Sequence, residues 1–536
     1  MTSQPANPDT QAPPQQTDVF AVHGADPEVL AYAMAKYSRS SLSMRQSLAE
    51  ISSQRAEQFL NTFYFQYGHR SIADLAHVAF AIERLSLLAA IVLVDEQRWD
   101  GQERSTRYQN FQKSGCYQPD FGPDSQPGSS AAKQLYTSTI DRLFTAYRET
   151  SAAVLEALKV RVAQPESLSD EAYTRTLKAR AFDVARYLLP LATNTSLGQI
   201  VNARTLETQV ARLLSSPFAE IRDLGIKLRD AATGPAWNVQ GDAGARLQER
   251  IHALSPELAG EAEALLTRPV HAAPTLVKYA QPNPYEQQTR AELAQAAAEL
   301  LTGRPIAAAP LVDLVERSES LEVELASTLL YSACHHPYRQ IRDLVAQLPA
   351  ARVAEYIALG LCHRGRHDEA LRAFHAGHSL RFDILMDIGG FRDMHRHRRC
   401  TQIIQDFTPL HGYETPDAGD LGDHVLLLTE SGALASYQAA CDQAFAASRV
   451  IAASDIPEAA QSALYLLPLA TRIRSLFKMD FAEAQYISEL RSGPAGHFSY
   501  RKVAWEMFLA VQRQHPTLAS HFRVTDYTDP IDLLKR

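Results

Sequence analysis

The chain has few cysteines, no long apolar run and no excess of positive charge, and each shortage excludes something. Its 536 residues carry five cysteines, Cys116, Cys334, Cys362, Cys400 and Cys441, odd in number and without the pairing of metal-binding motifs. That argues against a disulfide framework and for free thiols in a reducing cytoplasm, with no metal expected. No apolar stretch reaches the ~18 residues a spanning helix needs, so no membrane partner is expected. Lysine and arginine total 53 against 61 aspartates and glutamates, a net charge of −8. A general nucleic-acid binder would carry the opposite sign, so no nucleic-acid partner is expected. Residues 1–18 are rich in Pro, Gln and Thr without an apolar centre. They read as a disordered tail and not as a signal peptide.

What is present is a repetition. Tyr-Leu-Leu-Pro-Leu-Ala-Thr occurs at Tyr187–Thr193 and again at Tyr465–Thr471, 278 positions later. Other matches follow in the same order. "LAYAMAKYSRS" from Leu30 answers "LASTLLYSACH" from Leu325, with Tyr37-Ser38 against Tyr331-Ser332. His77 answers His378, and in each half a charged cluster follows 18 residues later. Arg212 and Arg222 answer Arg491 and Arg501, each pair ten apart. Ordered matches with drifting offsets indicate a tandem duplication. The expected organisation is a first domain over 19–300, with an appended helical segment at about 238–300, then a linker over 301–318 and a second domain over 319–536. "YAQPNPYEQQ" (Tyr279–Gln288) supplies turn residues near the boundary.

Local patterns give the fold class as α+β, with helices dominant and a small sheet in each half. "VAFAI" after His77 has strand character, and Ser86 is placed to cap a helix through "LLAAIVLVDEQ". "RFDILMDI" alternates in strand fashion, Gly389-Gly390 reads as a turn, and a short helix is expected to carry "FRDMHRHRR". Each charged cluster thus falls at the end of a helix that leaves a sheet. "RTLETQVARLL" and "SLFKMDFAEAQYISELR" read as helices before the downstream arginines.

Two clusters carry chemistry. "DGQERSTRYQNF" spans Asp100–Phe111, and "MHRHRRCTQIIQDFTP" spans Met394–Pro409. In an acidic chain, Arg396, Arg398 and Arg399 beside His395 and His397 concentrate positive charge, and the arginine fork suits phosphate. Pairing with protein carboxylates, or a solvated basic face, is the plainer alternative. Cys400, beside the basic run, is placed for a lowered pKa or for simple packing.

Together these motifs resemble the flavin-dependent thymidylate synthases, whose signature runs Arg-His-Arg, a spacer serine, then Asn-Glu-x-Ser-x-Arg-Tyr. The first half keeps the tail in Glu103, Ser105, Arg107 and Tyr108, with Asp95-Glu96-Gln97 at the head. The second half keeps the head, Arg396-His397-Arg398, and has Ile404, Asp406 and Thr408 where the tail should be. Downstream, Asn202-Ala203-Arg204, Arg212 and Glu220 with Arg222 resemble the family's later motifs, as do Arg491 and Arg501. "YGHRSIADLAH" (Tyr67–His77) resembles its Gly-His-x-Ser segment. The departures are Val92 and Asp393 in place of a pyrimidine-contacting Gln, and Asp100 in place of the spacer serine.

The resemblance implies two tandem domains related by a pseudo-twofold axis, and a homodimer equivalent to the family's tetramer. It implies FAD held by Arg396, His397, Arg398, Glu103 and Arg212. The pyrimidine nucleotide would lie on Ser105, Arg107, Arg204 and Arg222, with Arg222 catalytic beside the pyrimidine. NADPH and methylenetetrahydrofolate would be co-substrates for one-carbon transfer to C5 of deoxyuridylate (dUMP) or a related nucleotide. The alternatives are a degenerate paralogue that binds flavin or nucleotide without synthase activity, or a non-catalytic scaffold. Because the losses are complementary, one composite site is expected to join Arg396, His397 and Arg398 to Glu103, Ser105 and Arg107. Its symmetry mate would set Asp95 and Glu96 against Asp406 and Ile404, carboxylate against carboxylate, and repel a phosphate.

Overall fold

The structure is a computed structural model. It describes residues 25–36 and 70–534, apart from positions 113, 240, 279, 317–318, 366–367, 369, 415–422 and 531. The expected tail over 1–18, the Tyr37-Ser38 match and the Tyr67–His69 part of the Gly-His segment lie outside the described residues. The chain forms two compact units, one of residues 1–77 and 232–278, the other of 78–231 and 279–536. In the smaller unit, Asp26 pairs with Arg268 (2.6 Å), and the Glu28 carboxylate accepts from the backbone N–H groups of Thr275 and Leu276. Its helices include Pro27–Lys36, Gly241–Leu254 and Pro256–Leu266. Among the described residues no helix is long and apolar enough to cross a membrane.

The larger unit holds two antiparallel sheets. The first contains β1 (His77–Ser86), β2 (Asp100–Glu103) and β3 (Asn194–Asn202), in the order β1-β3-β2. The second contains β4 (Val312–Leu314), β5 (Leu380–Asp387), β6 (Thr401–Ile404) and β7 (Arg472–Met479), in the order β4-β5-β7-β6. Without β4 the two orders are the same, with β5, β7 and β6 in the places of β1, β3 and β2. The protein is therefore an α+β fold of two tandem domains. The helix Pro284–Leu300, grouped by sequence with the first half, packs Leu293, Ala296 and Ala297 into a core with Leu329, Leu330, Tyr338 and Ile341.

The local expectations fare unevenly. Ser86 caps the helix Leu87–Leu93, accepting from the Ala89 N–H at 2.9 Å. In the second half Asp387 does the same for Ile388–Met394, accepting from Gly390. Gly389-Gly390 is therefore not a turn but the first turn of that helix. A Cβ on Gly390 would lie 2.5 Å from Ser499 Oγ, so the glycine marks close packing. "SLFKM" is strand and not helix, since the helix begins only at Phe481. β7 is buried on both faces, and a continuous apolar run has the same appearance in a buried strand and a buried helix. β5 likewise buries its polar residues. Asp383 accepts from Tyr331 and Arg474, both at 3.0 Å, and Arg381 pairs with Glu319.

The repeated heptapeptides pair with each other. Pro190 and Pro468 lie opposite one another in an antiparallel bridge. Leu191 donates to the Leu467 carbonyl (2.8 Å), and its mate Leu469 donates to Leu189 (2.9 Å). Ala192 donates to Tyr465 (2.9 Å), and Ala470 donates to Tyr187 (3.1 Å). Adding or subtracting 278 turns each bond into its partner, so the pseudo-twofold axis passes between the prolines. Proline lacks an N–H, so neither ring leaves a donor unpaired at this crowded crossing. The symmetry extends outward, since Leu88 donates to Leu191 and Gly389 to Leu469. Leu188, Leu189, Leu191, Leu466, Leu467 and Leu469 are fully buried. Each such leucine contributes about 1.5–3 kcal/mol of hydrophobic stabilisation.

Candidate functional site

Folding about this axis brings the ends of unlike elements together. β2 ends at Glu103, and the following turn carries Arg104, Ser105, Thr106 and Arg107. The helix Ile388–Met394 ends and hands the chain to His395–Arg399. Between them lies a cleft of about 280 Å³, lined by Glu103, Arg104, Ser105, Thr106, Arg107, Arg186, Gly389, Arg392, Asp393 and Arg396. Five lining arginines face two lining carboxylates, and Asp183 behind Arg107 adds a third. Two positive charges remain, the complement of a phosphate dianion.

The expected residues distribute as follows. Glu103, Ser105, Arg107 and Arg396 share the cleft, although 289 or more positions separate Arg396 from the other three. Glu103 pairs across the two halves with Arg392 at 3.0 Å. Arg107 is buried. Its Nε and Nη2 donate to the two carboxylate oxygens of Asp183 (2.8 and 3.3 Å), and its Nη1 donates to the Tyr500 hydroxyl (2.9 Å). Burial disfavours charge on Arg107, but Asp183 more than offsets it and keeps the guanidinium charged. Ser105 Oγ accepts from the Arg107 N–H at 3.2 Å, which shapes the turn. His397 lies buried beneath, its Nε2 receiving the Arg491 Nε–H at 2.8 Å, and burial first of all lowers its pKa. Arg398 lies over the Trp99 ring, 4.6 Å from its centroid.

Besides His397 and Arg398, three expected residues do not line the cleft. Arg212 donates to Glu96 (2.7 Å) and to the Val92 carbonyl (3.0 Å). Arg222 pairs with Glu458 and donates to the Ser216 carbonyl. Arg204 sits in the first turn of the helix Ala203–Leu214, whose N-cap is Asn202. That turn lies outside the cleft, and Asn202 is used in capping.

The carboxylates expected to face one another at the symmetry mate of the cleft are each paired with cations instead. Asp95 meets Arg372 and the His395 ring, Glu96 meets Arg212, and Asp406 pairs with Arg290. Burial alone would raise the Asp95 pKa, but Arg372 and then His395 hold it well below the carboxylate range. Arg372 and His395 come from the second half and Arg212 from the first, so cations from both halves neutralise the Asp95–Glu96 pair. Of the two readings of Cys400, packing is the one the structure supports. Burial pushes its thiol up to about 12, so it is a packed residue and not a reactive one.

Sequence reading missed Arg186, Arg392, Asp183 and Tyr500. Arg186 matters most. It is 1% exposed, its Nη1 meets Asp393 at 3.2 Å, and its Nε and Nη2 have no hydrogen-bond partner. A buried guanidinium with one edge unpaired at a cleft is a standing invitation to an anion, because unpaired buried donors are costly. It directly precedes the first repeated heptapeptide, where the second copy has Leu464. That asymmetry was its only sequence signal.

Fold and cleft define a duplicated α+β domain with an electropositive cleft assembled across its internal pseudo-twofold. The chain belongs to the thymidylate synthase complementing protein family, whose model matches residues 21–233 and 323–517. Among its relatives is a UPF0159 protein of Chlamydia muridarum, 28% identical over 541 residues, covering 95% of this chain and 92% of that one. A flavin-dependent thymidylate synthase of Geobacter sulfurreducens is 25% identical over 223 residues, 41% of this chain and 84% of its own. A thymidylate synthase ThyX from Helicobacter pylori, crystallised with FAD and dUMP, is 17% identical. That match covers 38% of this chain and 88% of the ThyX chain, with a TM-score of 0.23.

Proposed function

We propose that the cleft binds a pyrimidine nucleoside monophosphate, with its phosphate on the free edge of Arg186 and on Arg396, Arg104 and Ser105. The observation that carries this is the unpaired Nε and Nη2 of buried Arg186 in a cleft left with two positive charges. Arg107 serves as a positioning residue, since Asp183, Tyr500 and the Ala495 carbonyl engage its guanidinium. Membership of the family supports this ligand class.

The residues expected to hold FAD do not fit it. His397 and Arg212 are committed to other side chains, and Arg398 covers Trp99. The function proposed is therefore nucleotide binding without flavin-dependent methylation. The catalytic reading has one observation in its favour: Arg396 of the signature's head shares a cleft with Glu103 and Ser105 of its tail. Calorimetric titration with dUMP, flavin absorption of the purified protein, and tritium release from 5-tritiated dUMP with methylenetetrahydrofolate, NADPH and FAD separate the two. Binding of dUMP to a colourless, inactive protein supports the proposal. Release of tritium supports the synthase, and no binding of dUMP sinks both.

A further inference from the structure

A second group of chemistry-bearing side chains lies among residues that the proposed nucleotide site does not use. Glu292 is on the helix Pro284–Leu300, and Cys362 and His363 are on the turn after the helix Ala350–Leu359. Glu292 Oε1 lies 2.7 Å from His363 Nε2, and Cys362 Sγ lies 3.7 Å from Glu292 Oε2. The ligand atoms of all three lie within 4.8 Å of one another. Bonds of about 2.0–2.3 Å to a tetrahedral zinc put neighbouring donors about 3.5 Å apart, so small side-chain shifts suffice.

We propose that Glu292, Cys362 and His363 form a binding site for Zn²⁺ or a similar borderline transition metal. The donor set decides the class of ion. Thiolate, imidazole and carboxylate together suit zinc, whereas calcium and magnesium take all-oxygen shells. A thiolate and a carboxylate neutralise a divalent ion, so the occupied site carries no net charge. The turn is already ordered. The Cys362 N–H donates to Ala358 at 2.8 Å, Arg364 Nε donates to the Asp368 carbonyl, and Gly365 N–H donates to the Asp368 carboxylate. Cys362 is exposed and His363 and Glu292 are part-exposed, so the ion has an entry path and a fourth position remains for water. The ion would clamp the turn to the helix Pro284–Leu300.

The test uses the full chain, stripped with a chelator and titrated with Zn²⁺ against a chromophoric competitor and, separately, with Co²⁺. One equivalent should bind, and cobalt should give a thiolate charge-transfer band. Cys362→Ser should abolish that band, while Cys334→Ser should keep it. Glu292→Gln and His363→Ala should each weaken zinc binding more than about 100-fold, since even outer-shell losses cost 10–100-fold. A melt of the unaltered protein needs no variant, and Zn²⁺ should raise its Tm. Absence of stoichiometric binding, a cobalt band that survives Cys362→Ser, or a Tm indifferent to zinc overturns the site.

Discussion

Replacing Arg186 by methionine should move two properties in opposite directions. Methionine fills similar space without charge. In the native chain Arg186 holds two buried, unpaired donor nitrogens, each of which costs roughly 1–3 kcal/mol. Losing the contact to Asp393, which is 22% exposed, leaves a carboxylate that water still reaches, at a cost of about 1 kcal/mol. The ligand-free variant should therefore be as stable as the parent or more stable, by up to a few kcal/mol. Nucleotide binding should suffer. Two charge-assisted hydrogen bonds at roughly 1.5–3 kcal/mol each correspond to a loss of about 100-fold or more. Differential scanning calorimetry with and without dUMP reads both at once. At about 100 times its Kd, dUMP should stabilise the parent by about 2.7 kcal/mol and the variant hardly at all. If Arg186→Met binds dUMP normally, or loses the 3–5 kcal/mol typical of a broken buried ion pair, the reasoning about the open edge is wrong.

Three further outcomes are expected. Leu191→Ala and its symmetry mate Leu469→Ala should each cost roughly 2–5 kcal/mol in urea unfolding, because both are fully buried at the crossing of the two halves. Unequal costs, one large and one negligible, would deny the pseudo-symmetry an energetic meaning. His411 is pushed down to about 4, first by burial and then by Arg474, from an ordinary 6.5. The unfolded chain thus binds a proton that the fold refuses between those values. Stability should be full above pH 6.5 and fall as pH drops toward 4, and His411→Gln should flatten that limb of the denaturation curve. In metal-free buffer at pH 8, iodoacetamide should label exposed Cys362 and spare Cys400, whose thiol sits near 12, until the protein unfolds. Mass spectrometry of the labelled peptides checks this.

Much was legible from residues alone because it is local. The repeated heptapeptide announced a duplication, and Ser86 before an apolar run announced a capped helix. The complementary halves of one signature pointed to Arg396 beside Ser105, and both line one cleft. Errors arose where burial on both faces erased periodicity, as in β7, or where a glycine marked close packing instead of a turn, as at Gly390.

What the linear order determined was therefore the elements, the twofold and the pool of charged side chains. Which charge meets which was decided by folding. Asp95 and Glu96 found Arg372 and Arg212, Arg107 found Asp183, and Arg186 kept an open edge at the cleft. The cluster of Glu292 with Cys362 and His363 joins residues 70 or more positions apart on separate elements, and no spacing rule reaches that far. The reason is physical. Hydrogen bonds within a helix or cap act between near neighbours in sequence. An ion pair depends on distance through space, and only the packed chain sets that distance.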